Sequence, residues 1–403
     1  MSRLKELIDE LCPDGVEYKA LGEVGKFLRG SSFQKKHFTE AGVPCIHYGQ
    51  VHTQFGVSTD HVVSYLDESF AARMKRAQQG DLVIATTSED DDAVGKATAW
   101  MGDCDVVVSN DAFIYHHGLD PMYVSYFFAS DQFQQSKMPF ITGAKVRRLS
   151  GDDMSKIRIP VPPIEVQREI VRILDSFQEL DDALTAEIEA REKQLACVRL
   201  SKLKEYSELS AMRSLGSVAK NSFTGATPNK KNSAYYEGGT IPWLRTQEVV
   251  FKDIYSVSGR ITEEALRKTA CKWIPKNCVI VAISGASAGR CGINKIPVAT
   301  NQHCLNLEID ETQALYRYVF HCVVNQYEDL LAMKDGPRGD LNGAKIKSLR
   351  IPVPALSDQA QIVDELDSAL MLIDFLRSER EARRKQFAYY RDKLLDLPEK
   401  VTT

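Results

Sequence analysis

The chain has 403 residues, 43% of them hydrophobic and 26% charged, with a formal net charge of −4 and a pI near 6.1. A single core rarely grows past about 250–300 residues, so two or more domains are expected. Near-neutral charge excludes a uniformly basic nucleic-acid binder while leaving room for basic residues gathered on one face. The apolar runs, such as CVIVAI, are strand-length, which predicts neither a signal peptide nor a membrane span and places the chain in the cytoplasm.

Nine cysteines, odd in number and without a CxxC pair, read as reduced thiols of an intracellular protein. His303 beside Cys304, with Cys291 and Cys278 upstream, matches no zinc spacing, so no metal is expected.

Taken in chain order, residues 1–20 form a short leading segment, and 21–160 a first body of mixed structure. Short β-rich runs (GVPCIHYGQV, GDLVIATTS, CDVVVS) are separated there by Gly, Asn and Asp turns. Residues 161–206 read as a long helix. A second body, 207–352, repeats the mixed pattern with TIPWLRTQEVV and NCVIVAIS, and 353–403 reads as a second long helix. Short helical patterns, SFAARMKRAQ and ITEEALRK, lie inside the bodies. The expected fold class is α+β: two α/β bodies, each with a twisted, barrel-like sheet, separated by a long antiparallel two-helix coiled coil.

The division rests on an internal repeat. RIPVPPIEVQREIVRILDS (158–176) returns as RIPVPALSDQAQIVDELDS (350–368), with Pro160, Pro162, Gln167, Ile170 and Asp175 each 192 residues before its counterpart. A period this long marks duplicated domains rather than a solenoid. The matched tails follow divergent bodies. LGEVGKFLRG at 21 and LGSVAKNSFTG at 215 resemble each other at an offset of 194.

Each tail carries a heptad-like seam. In the second copy it runs through 362, 366, 369, 373, 376, 387, 390, 394 and 397, broken at Arg380 and Arg383. In the first it runs through Ile170, Leu174, Phe177, Leu184, Ile188, Leu195 and Val198, broken at Asp181, Arg191 and Lys202. A stripe sustained for about five heptads argues for a coiled coil, and no apolar face is left over beside the seam. Prolines 160, 162, 163, 352 and 354 hold an extended lead-in, so each helix begins just past them, with Glu165 and Asp358 as first-turn acids. The link KLKEYSELSAMRSLGSV is too short to run back along a helix of roughly 50 Å. The second helix should therefore return antiparallel, with the bodies at opposite ends. LKELIDELCPDGVEYKALGEV resembles LSKLKEYSELSAMRSLGSV, so the leading segment is expected to dock where the second helix ends.

The IPVPP-xxx-Q phrase, the helix after it, the duplicated body, the endings LDSFQELDDALTAEIEAREKQL and FAYYRDKLL, and the opening ELCPDGVEYKALGEV resemble the specificity subunit of type I restriction–modification systems, across essentially the whole chain. The resemblance implies that each body is a target recognition domain reading one half of a split double-stranded DNA sequence. It implies that the helices set an unread spacer and bind two modification (methyltransferase) subunits, with restriction (motor-nuclease) subunits beyond. It implies no cofactor on this chain, S-adenosylmethionine, ATP and Mg belonging to the partners. Two readers about 50 Å apart suit half-sites one to one and a half helical turns apart.

Candidate DNA contacts follow from loop chemistry: Lys, Arg, Ser and Thr for phosphates, Gln and Arg for base edges, Tyr for sugars or bases. In the first body they are Lys35, Lys36, Tyr48, Gln50, Thr86, Thr87, Ser88, Lys96, Lys145, Arg147 and Arg148. In the second they are Lys230, Lys231, Tyr235, Arg245, Thr246, Gln247, Ser284, Ser287, Arg290, Lys334, Arg338 and Lys345. The acidic run Glu89–Asp92 repels phosphate, or accepts from a cytosine amino group, or points away.

Catalysis by this chain is not expected. VPPI lacks the Asn/Asp and the aromatic of an amino-methyltransferase motif, GASAGRCG lacks the Lys-Ser/Thr of a phosphate loop, and Asp14, Glu17 and Lys19 crowd one Pro-Asp-Gly turn instead of coming from separate strands. A non-catalytic coiled-coil scaffold that reads no DNA is the alternative, but it gives no reason for large divergent bodies.

Overall fold

The tetrapeptides Leu82–Ala85 (LVIA) and Val279–Ala282 (VIVA) are fully buried, and apolar, β-branched runs of this length make central strands. Each is the middle strand of a five-stranded sheet in a computed structural model that describes residues 2–334 and 341–400. Arg338 lies outside the described residues. The chain divides into two compact units, Met1–Thr185 with Ser378–Thr403, and Ala186–Arg377.

The central sheet of the first unit runs Gly25–Arg29, Ala112–His117, Leu82–Ala85, Ala97–Trp100, Ser58–Thr59. That of the second runs in the same order, Ala219–Thr224, Cys304–Ile309, Val279–Ala282, Cys291–Asn294, Asp253–Ile254. A second sheet accompanies each, five-stranded around Val43–Ile46 in the first unit and three-stranded around Ile241–Leu244 in the second. The expected barrel-like sheet resolves into two strand groups, bridged in the first unit where Ser31 N–H donates to Val108 O at 2.8 Å. In the first unit the two share a core in which Ile46, Val106 and Val108 meet Val83, Ala85 and Ile114. The run GVPCIHYGQV is corrected. Its strand stops at Ile46, and Tyr48–Thr53 is helical because His47 caps it, its Nδ1 accepting from the Gly49 N–H at 3.2 Å.

The repeated phrase builds the same joint twice. Arg158–Pro160 pairs antiparallel with Tyr18–Ala20, and Arg350–Pro352 with Met212–Ser214. The prolines end those strands, and a buried glutamine then fastens the helix start to its body. Gln167 Oε1 accepts from Asp120 N–H at 2.9 Å and its Nε2 donates to Pro162 O at 2.8 Å. Gln359 does the same with Leu315 N–H at 2.9 Å and Pro354 O at 2.9 Å. Tyr123 and Tyr318 each donate to the strand proline carbonyl, Pro160 or Pro352, at 3.0 Å. Buried polar groups matched this fully rigidify a joint, because leaving any one unpaired costs about 1–3 kcal/mol.

The helices beyond the joints span Ile164–Leu209 and Leu356–Leu395, with Glu165 and Asp358 in their first turns. Within the first unit Phe177 stacks on Tyr390 at 5.6 Å, and Asp181 lies opposite Arg380 and Arg384. Within the second, Glu192 pairs with Arg377, and Lys202 with Glu365 at 3.1 Å. Rising numbers on one helix meet falling numbers on the other, so the pairing is antiparallel in each unit. Ile188, Leu195, Ile362, Leu366 and Ile373 enter the core of the second unit; Ile170, Leu174 and Leu394 enter that of the first. One expectation fails: Met371, Leu372 and Phe375 stand 67%, 42% and 64% exposed, because they fall outside the positions that face the partner helix. No helix of the described residues is long and apolar enough to cross a membrane.

The leading segment packs inside the first unit. Leu4, Cys12 and Val16 share a core with Leu394, Leu395 and Leu397. Val16 N–H donates to Pro398 O at 2.8 Å, and Lys400 N–H returns to Val16 O at 2.9 Å.

Candidate nucleic-acid interface

Two loops rise from equivalent strand ends in the two bodies, built by equivalent hydrogen bonds. The first follows Val43–Ile46 or Ile241–Leu244. In each, the first loop residue gives its N–H to a side chain three residues on, His47 to Gln50 Oε1 at 2.8 Å and Arg245 to Glu248 Oε2 at 3.0 Å. That side chain is then tied to a serine: Gln50 Nε2 donates to Ser64 Oγ at 2.7 Å, and Ser258 Oγ donates to Glu248 Oε1 at 3.1 Å.

The second loop leaves Ala85 or Ala282 and returns at Lys96 or Arg290, whose carbonyls accept from the alanine N–H at 2.9 and 2.8 Å. Gly95 and Gly289 close the loops at φ +84° and +88°, a conformation that a side chain resists. Thr86 and Ile283 anchor the outgoing arms, donating to Asp111 O and His303 O and accepting from Leu149 and Leu341. On one frame, then, the first body displays Glu-Asp-Asp-Asp and the second Gly-Ala-Ser, with Ala288 turned into the core. Sheet and joint fix the frame, leaving the tip free to vary.

The frame sorts the candidate residues. Gln50 and Thr86 are 6% exposed, and Thr86 Oγ1 donates to Asp111 O at 3.1 Å. Lys96 Nζ donates to His52 O and Phe55 O at 3.2 Å each, and burial lowers its pKa below the ordinary lysine value. Lys345 Nζ donates to Met333 O at 2.7 Å. The polar atoms of these four hold the loops together rather than facing outward. Arg245 Nη2 donates to Ser258 Oγ at 3.0 Å. Tyr48 and Tyr235 are half-buried, packed on His47 and on the Trp243 cluster respectively. Thr246, Ser284, Ser287, Arg290 and Lys334 are half-buried, and Lys35, Lys36, Lys145, Arg148, Lys230, Lys231 and Gln247 are exposed.

In the first body the four loops come together. Thr87–Ser88 pairs with Arg147–Arg148, and His52 Nε2 lies 3.0 Å from Thr87 O. Lys35 and Lys36 lie on a turn whose flanking Phe33 and Phe38 pack on His47, and Ser31 before it is bonded to Val108 of the second sheet. The acidic tip is braced from two sides. Arg147 holds Asp91 at 2.8 Å. Lys137 is fully buried, donating to Asp92 O at 2.9 Å and Val94 O at 2.7 Å, and desolvation brings its pKa down to about 8. Glu89, Asp90 and Asp92 remain exposed. Sequence reasoning missed the struts Ser64, Glu248 and Ser258; aligning the bodies by their strands reveals them, whereas the tail offset of 192 does not reach that far. Among the described residues no group of three or more His, Cys, Asp or Glu could hold a metal.

The model of the type I restriction modification DNA specificity domain matches twice, at residues 13–191 and 208–382. The chain belongs to this family. It is 31% identical over 269 residues to the Escherichia coli type I restriction enzyme EcoR124I/EcoR124II specificity subunit, a match covering 63% of this chain and 66%, just under two thirds, of that relative. A putative type I restriction enzyme specificity subunit of Haemophilus influenzae is 24% identical over 404 residues, covering 94% and 95% of the two chains. Among solved structures, a chain from a study of complex assembly in the type I R-M system superposes with a TM-score of 0.63 at 17% identity, over 95% of this chain and 98% of that one. The S subunit from M. genitalium gives 0.53 at 13%, over 96% and 97%. These structures share the fold, with its two family domains and long helices.

Proposed function

We propose that the chain is the DNA sequence-specificity subunit of a type I restriction–modification complex: each body reads one half of a split double-stranded target with unread bases between, and the long helices seat two modification subunits, with restriction subunits beyond. One observation carries this reading. The joints share their strand pairing and their glutamine and tyrosine hydrogen bonds in both copies, as like partners require, while the loop tips on one frame differ, as two unlike half-sites require. The scaffold alternative leaves the differing tips without a use.

Exposed Lys35, Lys36, Lys145, Arg148, Lys230 and Lys231 suit phosphates, and Gln247 and Arg290 suit base edges in the major groove. The exposed carboxylates Glu89 and Asp90 suit a cytosine amino group, which only an acceptor can read. Gln50, Thr86, Lys96 and Lys345 position these loops from within. The chain takes no part in the chemistry; S-adenosylmethionine, ATP and Mg belong to its partners. Mapping methylated bases in cells that express this chain with its modification subunit tests the reading. A split motif supports it, and a contiguous motif, or none, overturns it.

A further inference from the structure

The helix segments of the two copies align at the offset of 192 through EAREKQLACVRLSKL (189–203) and EARRKQFAYYRDKLL (381–395). Arg199 and Arg391 therefore hold the same seat. In the first unit Arg391 is neutralised twice, by Asp392 at 2.8 Å and Asp131 at 3.6 Å. In the second unit Leu200 stands where Asp392 does in the first. Tyr327 begins the short helix matching the one that Asp131 begins. The arginine has been kept while both of its acids have gone.

What remains is a guanidinium out of balance. Arg199 Nε is shut off from solvent without a hydrogen-bond partner, and burial lowers its pKa from the ordinary arginine value. Arg199 lines a cleft of about 890 Å³ in the second unit. The other cations there are already matched: Arg317 by Asp367 and Asp253, Lys295 by Asp253 at 3.7 Å, Lys252 by Asp374 at 3.4 Å, and Arg377 by Glu192. Arg199 is thus the cleft's one cation without a counter-ion among the described residues. Beside these ion pairs the rim exposes three apolar side chains, Met371, Tyr255 and Val250, at 67%, 68% and 43%. Phe251 behind it holds φ at +58°, a strained backbone that persists where surroundings impose it. Arg199 as a whole is half-buried, yet a partly desolvated charge without a partner still carries a cost, and the missing element is one carboxylate.

We propose that this cleft is a socket for an Asp or Glu side chain, flanked by apolar residues, of a modification subunit, and that Arg199 receives its carboxylate. This rests on the partner reading above and deepens it. The two docking sites of the chain are then unequal. The first carries its arginine already neutralised, and the second is completed by the partner.

The test uses the full chain with its modification subunit. Arg199→Met removes the unpaired charge at nearly constant shape, so the free chain should melt at the same or a higher temperature. Leu200→Asp supplies a counter-ion from within, as Asp392 does in the other copy, on a side chain already 58% exposed. Either change should weaken binding of one of the two modification subunits by tenfold or more, read as loss of the 2:1 species in native mass spectrometry. Retention of the 2:1 complex by both variants overturns the proposal. So does a melting temperature of the wild type, but not of Arg199→Met, that rises in millimolar inorganic phosphate while assembly is unaffected, since the occupant is then a free anion. Failure of the wild type to bind any modification subunit condemns the partner reading instead.

Discussion

Asp181 of the first long helix accepts from Nε of Arg380 on the second at 3.1 Å, and from Nε of Arg384 at 2.8 Å. In the sequence, Asp181 and Arg380 each look like a flaw in an apolar seam. In the structure they fill one another's gap, and the guanidinium hydrogen bonds hold the Asp181 carboxyl below the usual carboxylate range, Arg384 contributing most. A polar pair at a seam position is the best-attested way for a coiled coil to fix its register.

Asp181→Ala should destabilise the first unit by about 1–2 kcal/mol in chemical denaturation, the low end being set by Arg384, which is 58% exposed. The pH dependence has a definite sign. A carboxyl with a depressed folded pKa contributes stability that is present above its unfolded value, near 3.8, and lost as pH falls through the lower folded value. Wild type and Asp181→Ala should therefore differ at pH 6, and the gap should close as pH falls below 3.8. A gap that is constant with pH would show the carboxylate is not involved.

Gln359 is fully buried, and both ends of its amide are used at the joint of the second unit. Replacing it with leucine strands the Leu315 N–H and the Pro354 carbonyl, for a loss of about 2–4 kcal/mol. Gln167→Leu should do the same in the first unit. Urea midpoints of the two single variants, followed by unit-specific probes, check this; a loss below about 0.5 kcal/mol would mean the joint does not depend on its glutamine.

Removing residues 1–12 takes Leu4 and Cys12 off Leu394, Leu395 and Leu397. Losing side chains of this kind costs about 2–5 kcal/mol, so the truncated chain should melt lower and its C-terminal helix should exchange amide hydrogens faster. Unchanged melting and exchange would count against the docking.

How far the sequence reaches is clear from these elements. The duplicated phrase and the seam were legible because a strict offset and a 3.5-residue period survive in one sequence. The division of the strands between two sheets was not, since short strands such as Val43–Ile46 look alike whichever sheet they join. Exposure of a loop lysine is not a local property either: Lys96 looks like a DNA contact by composition and is instead bound to two carbonyls. Arg199 could have been flagged from the offset alone, where Asp392 in one copy becomes Leu200 in the other.

Among the loop cations, Lys35→Ala with Lys36→Ala should lower the salt dependence of DNA binding by about 0.9 in slope for each phosphate contact removed. Lys96→Met should instead lower stability, because the His52 and Phe55 carbonyls lose their donor. Binding titrations across salt, with melting curves alongside, separate the two; an unchanged slope for the first pair would take that turn out of the interface.

The central claim, one half-site per body, is tested most directly by mapping methylated bases in cells carrying the modification subunit with either the wild type or a chain altered at Gln247, Lys230 and Lys231 of the second body. The account predicts a split motif for the wild type, and for the variant a motif relaxed or changed in one half with the other half intact. A contiguous motif, or a variant in which both halves change together, would contradict it.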